Sequence, residues 1–267
     1  ASGTTLGDLK GNGTVSLGSK FLTFGTATTS LSYAGVIQGS GGITKQGTGT
    51  VILSGANTYT GTTTVNAGEL VFSQTGTPSL ASNISINTGA TVDLDQAASG
   101  KGTYSGIISG AGKLNVNALG GSGTVILTGA NTFSGGTTVF NGTLQGSPTS
   151  LQGNIGVSTS AVVDIEQSSG TGQFIGHLQD NGSGQHGNVA INQQGGTGTV
   201  IFTTPSTYTG LTTVDNGTLQ GTTLTLPETI VIKSGALVDV EQSFGTGTYT
   251  GSLSGAGGVV VNSSGAD

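Results

Sequence analysis

The chain has 267 residues, of which 52 are Gly and 4 are Pro, with 33% hydrophobic and 7% charged residues. This balance argues against a disordered chain, which pairs low hydrophobicity with high net charge, and against collagen, which needs Gly at every third position with abundant Pro. A net charge of −6, from twelve acids against six Lys and no Arg, leaves no basic stripe, so nucleic acid and anionic membrane surfaces are not expected as partners. Without Cys there are no disulfides and no thiolate metal sites, which suits a chain that crosses an oxidising periplasm. No apolar run reaches membrane-spanning length and no leader pattern stands at Ala1, so no membrane insertion of this segment is expected and the chain reads as a mature or excised segment.

In chain order, residues 1 to 46 read as the tail of a repeat, because LSYAGVIQGSGGIT from Leu31 matches a block that closes later units. Unit one, 47 to 120, opens with GTGTVILSGANTYTGTTTVNAGELVF. Unit two, 121 to 195, opens with GSGTVILTGANTFSGGTTVFNGTLQG, and unit three, 196 to 267, with GTGTVIFTTPSTYTGLTTVDNGTLQG. Each continues with a second block, ISINTGATVDLDQ from Ile84, IGVSTSAVVDIEQ from Ile155 and IVIKSGALVDVEQ from Ile230, and then a glycine-rich stretch. Apolar residues alternate over short runs and no helical stripe is long enough to be stable, so the elements are strands of about five residues between turns.

A long unit repeated with this fidelity fits stacked coils better than hairpins. The predicted fold is therefore an all-β, right-handed parallel β-helix, a single array with a superrepeat of roughly 75 residues. Each superrepeat is expected to make three rungs of about 25 residues, rising about 4.8 Å per rung. Val51, Leu53, Val65, Leu70 and Phe72 are assigned to the interior, with their counterparts Val125, Leu127, Val139, Leu144, Val200, Phe202, Val214 and Leu219. Ile52, Ile126 and Ile201 then face outward, and on a three-rung superrepeat they align on one face as a candidate partner contact.

The motif from GANTYTG through TTVNAGEL, carried by Gly55 to Gly61, Thr63 to Val65, Gly68 and Leu70 and repeated from Gly129 to Gly135, resembles the autotransporter-associated β-strand repeat of Gram-negative passenger domains. The third copy departs from it, with Thr204, Pro205 and Ser206 in place of Gly-Ala-Asn. The resemblance implies a parallel β-helix exported through an outer-membrane translocator barrel in the precursor, and a repeat associated with efficient secretion. It therefore implies an extracellular location, at the bacterial surface or released.

The acid pairs Asp93 and Asp95, Asp164 and Glu166, and Asp239 and Glu241 recur at i, i+2 in each unit, which puts both carboxylates of a pair on one outer face. They read as solvated charges; one pair supplies too few of the six to eight oxygens Ca²⁺ takes. His177, Asp180 and His186 lie in the least repetitive stretch, expected as a protruding loop at 176 to 188. Their spacing fits no zinc motif, so partner contact is the better reading. Tyr59, Phe133 and Tyr208 read as corner packing. No acid/base cluster, nucleophile elbow or phosphate loop is found, so neither catalysis nor a cofactor is expected.

The expected function is an extracellular stalk or adhesive passenger that is not an enzyme. Its partners would be itself, laterally or end to end, or a host receptor or glycan. A filament subunit joined through exposed edge strands is the alternative, and a β-helical polysaccharide-active enzyme a minor one.

Overall fold

The computed structural model describes residues 3–26, 28–242 and 247–263. Among these no helix forms, and the strands pair in parallel, as the β-solenoid reading expects. The chain divides into two compact units, Ala1–Thr143 and Leu144–Asp267. The division falls inside the second motif copy rather than at a repeat edge.

The first unit coils in three-sided turns. One side stacks Thr4–Thr5, Leu22–Phe24, Ile43–Lys45, Thr63–Val65, Ile84–Ile86 and Ile108–Gly110. The second stacks Leu31–Tyr33, Thr50–Leu53, Glu69–Gln74, Thr91–Gln96, Lys113–Val116 and Thr137–Val139. The third holds Val15–Ser16 with Ile37–Gln38, then Ser79–Leu80, Lys101–Tyr104 and Thr124–Leu127. The Asn-Thr-Tyr-Thr stretch at 57–60 lies on this side without forming a named strand; the N–H groups of Thr58 and Thr60 donate to the carbonyls of Ile37 and Gly39, each at 2.9 Å.

Paired residues in successive turns, Leu22 on Ile43, Ile43 on Thr63, Thr63 on Ile84 and Ile84 on Ile108, stand 21, 20, 21 and 24 positions apart. The rung is therefore shorter than the expected 25 residues. From Thr50–Leu53 the second side is visited again at Glu69–Gln74, Thr91–Gln96 and Lys113–Val116, and the equivalent strand Thr124–Leu127 then falls on the third side. One superrepeat makes three turns and one further side. The second motif copy is thus rotated by a side from the first.

The second unit has the same construction. Ala161–Ile165, Asn188–Ile191, Thr212–Val214, Thr229–Ile232 and Ser252–Gly255 form one side. Thr171–Phe174, Thr199–Phe202, Thr218–Thr222, Leu237–Gln242 and Gly258–Ser263 form another. On the remaining side Asn154–Val157 pairs with His177–Asp180, and Thr207 N–H donates onward to the Leu178 carbonyl at 2.8 Å. Turn length varies more here, from 18 residues between Thr212 and Ile230 to 28 between Thr171 and Thr199.

Strand alternation decides what goes inside, because neighbouring side chains on a strand point to opposite faces. All thirteen residues assigned to the interior from sequence are at most 2% exposed, while Ile52, Ile126 and Ile201 between them are half-buried. Each buried aliphatic or aromatic side chain is worth about 1.5–3 kcal/mol. Ring contacts add to this, Phe72 with Tyr104 at 6.5 Å and Phe174 with Phe202 at 5.4 Å between centroids.

The GANTYTG corner is explained by close backbone approach. A Cβ on Gly61 would sit 2.4 Å from the Gly41 carbonyl carbon, and one on Gly135 would sit 2.1 Å from the Gly112 oxygen. The corner asparagines do a second job: Asn57 and Asn131 accept, through Oδ1, the N–H of Ile37 at 2.9 Å and of Ile108 at 2.8 Å. In the divergent third copy Ser206 Oγ takes this place, accepting the Leu178 N–H at 3.3 Å. The corner survives the Thr-Pro-Ser substitution because a shorter side chain supplies the same acceptor. Asn131→Ala should cost about 1–3 kcal/mol, since it strands a buried N–H; urea denaturation measures this, and an unchanged midpoint would show that water replaces the amide.

Candidate functional site

Three of the six recurrent acids are withdrawn from solvent. Asp93 and Asp164 are fully buried and Asp95 is nearly so, whereas Glu166, Asp239 and Glu241 are half-buried. This overturns the surface-charge reading for Asp93, Asp95 and Asp164, and the cause is a loop on the following turn that lies over each of the first two pairs.

In the first unit the loop is 117–123, Asn-Ala-Leu-Gly-Gly-Ser-Gly. Asp93 Oδ1 accepts the Ala118 N–H at 3.3 Å, and Asp95 Oδ1 accepts the Gly121 N–H at 3.0 Å while its Oδ2 accepts the Ser73 hydroxyl at 3.2 Å. Asn117 opens the loop at φ 58° and accepts the Gln96 N–H through Oδ1 at 2.8 Å. The second unit repeats this at 192–198, Asn-Gln-Gln-Gly-Gly-Thr-Gly, where Asn192 has φ 57° and accepts the Gln167 N–H at 2.7 Å. There Asp164 accepts the Gln193 N–H at 3.3 Å and Glu166 the Gln194 N–H at 2.5 Å. In the third pair Asn262 Nδ2 donates to Asp239 at 2.8 Å and to Glu241 at 3.4 Å.

Asp93 and Asp164 each have one oxygen on a loop amide and a second, Oδ2, without a hydrogen-bond partner. Burial pushes the Asp93 carboxyl up to about 7, and the nearby Asp95 and Glu69 charges push the same way. Asp164 is raised by burial and by Glu166 beside it. The recurring Asn-x-x-Gly-Gly-x-Gly, one turn after each of the first two acid pairs, was the sequence signal for these loops. Lys45 is another buried ion: its Nζ donates to the carbonyls of Gln46, Gly47 and Ala67 at 3.2, 2.7 and 3.0 Å.

Ile52 lies on the second side of the first unit and Ile126 on the third. The expected alignment on one face therefore fails, because the superrepeat exceeds three turns. Ile201 lies on Thr199–Phe202 in the second unit. Tyr59, Phe133 and Tyr208 are buried, Tyr59 Oη sits 2.6 Å from Thr63 Oγ1, and Tyr208 Oη meets Thr212 Oγ1. They pack into the interior from segments that stack as sides, not corners, and form no exposed aromatic row.

The stretch expected as a loop at 176 to 188 is partly regular, since His177–Asp180 is a strand and the irregular part follows it. His177 Nδ1 is 2.7 Å from the Pro205 carbonyl, and His186 Nδ1 is 2.6 Å from Thr209 Oγ1. Asp180 accepts the Thr209 hydroxyl at 2.7 Å and its N–H at 3.1 Å. The three side chains converge on one corner, 205–209, and are occupied there by hydrogen bonds. Among the described residues no group of three or more His, Asp or Glu is placed to hold a metal ion.

Three-sided parallel turns carrying recurrent glycine corners define the class, a parallel β-solenoid built on stacked repeats. The passenger-associated-transport-repeat family model matches residues 43–72, 120–145 and 194–220. The chain is similar to the adhesin BmaC autotransporter of Brucella suis biovar 1 (strain 1330), 32% identical over 237 residues that cover 73% of this chain and 7% of that protein. The chain thus spans a small fraction of the curated relative it matches. No solved structure matches it. A passenger of this kind is extracellular, on the bacterial cell surface or secreted.

Proposed function

We propose that this segment is a non-enzymatic, adhesive part of its passenger, carried outward after export through a translocator barrel. The observation that supports this most is the 32% identity to a protein named as an adhesin, together with three transport repeats. The placement of the polar groups agrees with it. The buried acids cap loops and the histidines bind a corner, so the groups an enzyme would use are committed to structure.

The contact surface proposed on the second unit is the corner of His177, Asp180 and His186 with 205–209, beside Ile175, which is 56% exposed. It joins an exposed apolar side chain to rigidly held polar ones, the composition of a protein or glycan contact. Ile52, Ile126 and Ile201 remain proposed contacts for self-association, as single positions and not as one row.

The test displays the passenger with and without residues 1–267 on cells and counts adhesion to host-cell layers and to sister cells. Deletion should reduce one or both counts by at least about tenfold at equal surface display. Unchanged adhesion would reduce the segment to a spacer, and turnover of a polysaccharide by the purified chain would overturn the non-enzymatic reading.

A further inference from the structure

We propose that Asp93 and Asp164 are latches that hold the 117–123 and 192–198 loops shut in acidic surroundings and let them lift as the medium turns alkaline. The geometry occurs twice, independently, in the two units. In each, a fully buried carboxyl gives Oδ1 to a loop amide, Ala118 or Gln193, while its Oδ2 has no well-formed hydrogen bond; the Leu119 amide lies near Asp93, and the Glu166 carboxyl beside Asp164 favours a protonated Asp164. A neutral carboxyl tolerates that setting. An ionised one must find water, because an uncompensated buried charge costs several kcal/mol.

The surrounding charges favour the same behaviour. Around Asp93 stand Asp95 on its own strand, Glu69 on the preceding turn and Tyr104 on an adjoining side. Lys113 on the following turn pairs with Thr91, two residues short of Asp93, and is itself exposed. Around Asp164 stand Glu166 and Asp215, and Asp215 is already paired with Lys233. Neither aspartate has a cation on its free oxygen.

The loops offer the way out. Leu119, Gly120 and Ser122, and likewise Gln193, Gln194, Gly195 and Thr197, are exposed. Lifting them opens the carboxyl to water without parting a strand of the turn beneath. The upward displacement of both carboxyls agrees with this arrangement. The inference holds for the fold whether or not the segment is adhesive.

Two measurements on the intact chain test it. The ¹³C carboxyl resonances of Asp93 and Asp164 are followed against pH, and hydrogen exchange of the 118–123 and 193–198 amides is measured at pH 5.5 and 8.5, corrected for intrinsic rate. Midpoints well above 5 and at least about a tenfold loss of loop protection at the higher pH are expected. Asp93→Asn should abolish the change at 118–123 alone, leaving 193–198 as an internal control, and Asp164→Asn should do the converse. Midpoints near 4, or the same pH-dependent exchange in the matching variant, would overturn the proposal. The wild-type titration decides it even if a variant fails to fold.

Discussion

Gly135→Val is expected to keep the first unit from reaching its native fold. The added Cβ would fall 2.1 Å from the Gly112 oxygen and 2.4 Å from its carbonyl carbon, which are backbone atoms of the preceding turn. No rotamer relieves such a contact, and stacked strands are held about 4.8 Å apart by their ladder. Overpacking of side chains alone costs about 1–3 kcal/mol, so a backbone clash should exceed about 3 kcal/mol, a large share of the roughly 5–15 kcal/mol by which domains are stable. Far-UV circular dichroism through a urea titration measures it, with Ser134→Val at the exposed neighbour as a control expected within about 0.5 kcal/mol. A variant with the wild-type midpoint would mean that the turns part at this corner.

Much of this architecture was legible because it rests on local patterns. The alternation in Thr50–Leu53 and Thr63–Val65 assigned the interior correctly at every named position, since a strand allows only two facings. The turn count was less legible. A superrepeat of 74 residues, from 47 to 121, divides as readily into three rungs as into three and a third. The difference lies in 57–60, which occupies a side although its Asn-Thr-Tyr-Thr sequence reads as a corner. That extra side is what moves Ile126 off the side that carries Ile52.

The acid pairs were misread for a related reason. Alternation correctly placed Asp93 and Asp95 away from the apolar interior, but facing outward from a strand is not the same as facing water. The covering loop begins at Asn117, more than twenty residues later, and its left-handed start at φ 58° folds it back over the pair. A strand-by-strand reading has no access to such a contact between turns. The positions of His177 and Asp180 failed similarly: the loss of repetition at 176 to 188 suggested a loop, yet parallel pairing to Asn154–Val157 holds a strand there.

Stability should fall as pH rises from about 4 to 8, opposite to the trend of a protein held by exposed carboxylate ion pairs. Asp93 titrates at about 7 in the fold against about 3.9 in an unfolded chain. Because the folded value is the higher, the unfolded chain releases this proton first. The contribution is complete below pH 3.9 or so and is lost progressively until pH passes the folded value. Between pH 5 and 8 the loss is about 2–3 kcal/mol for Asp93, and Asp164, raised for the same reason of burial, adds a loss of the same sign. Asp93→Asn keeps the acceptor for the Ala118 N–H and removes the charge. It should therefore raise the stability of the first unit at pH 8 by about 1–2 kcal/mol, less than the full loss because the new amide N–H₂ occupies the position that has no partner. At pH 5, where the wild-type carboxyl is protonated, the same unpartnered N–H₂ should leave the variant about 1 kcal/mol less stable than wild type. Thermal unfolding at both pH values measures the difference, and a variant that is destabilised equally at pH 5 and pH 8 would show that Asp93 is held as an ordinary carboxylate.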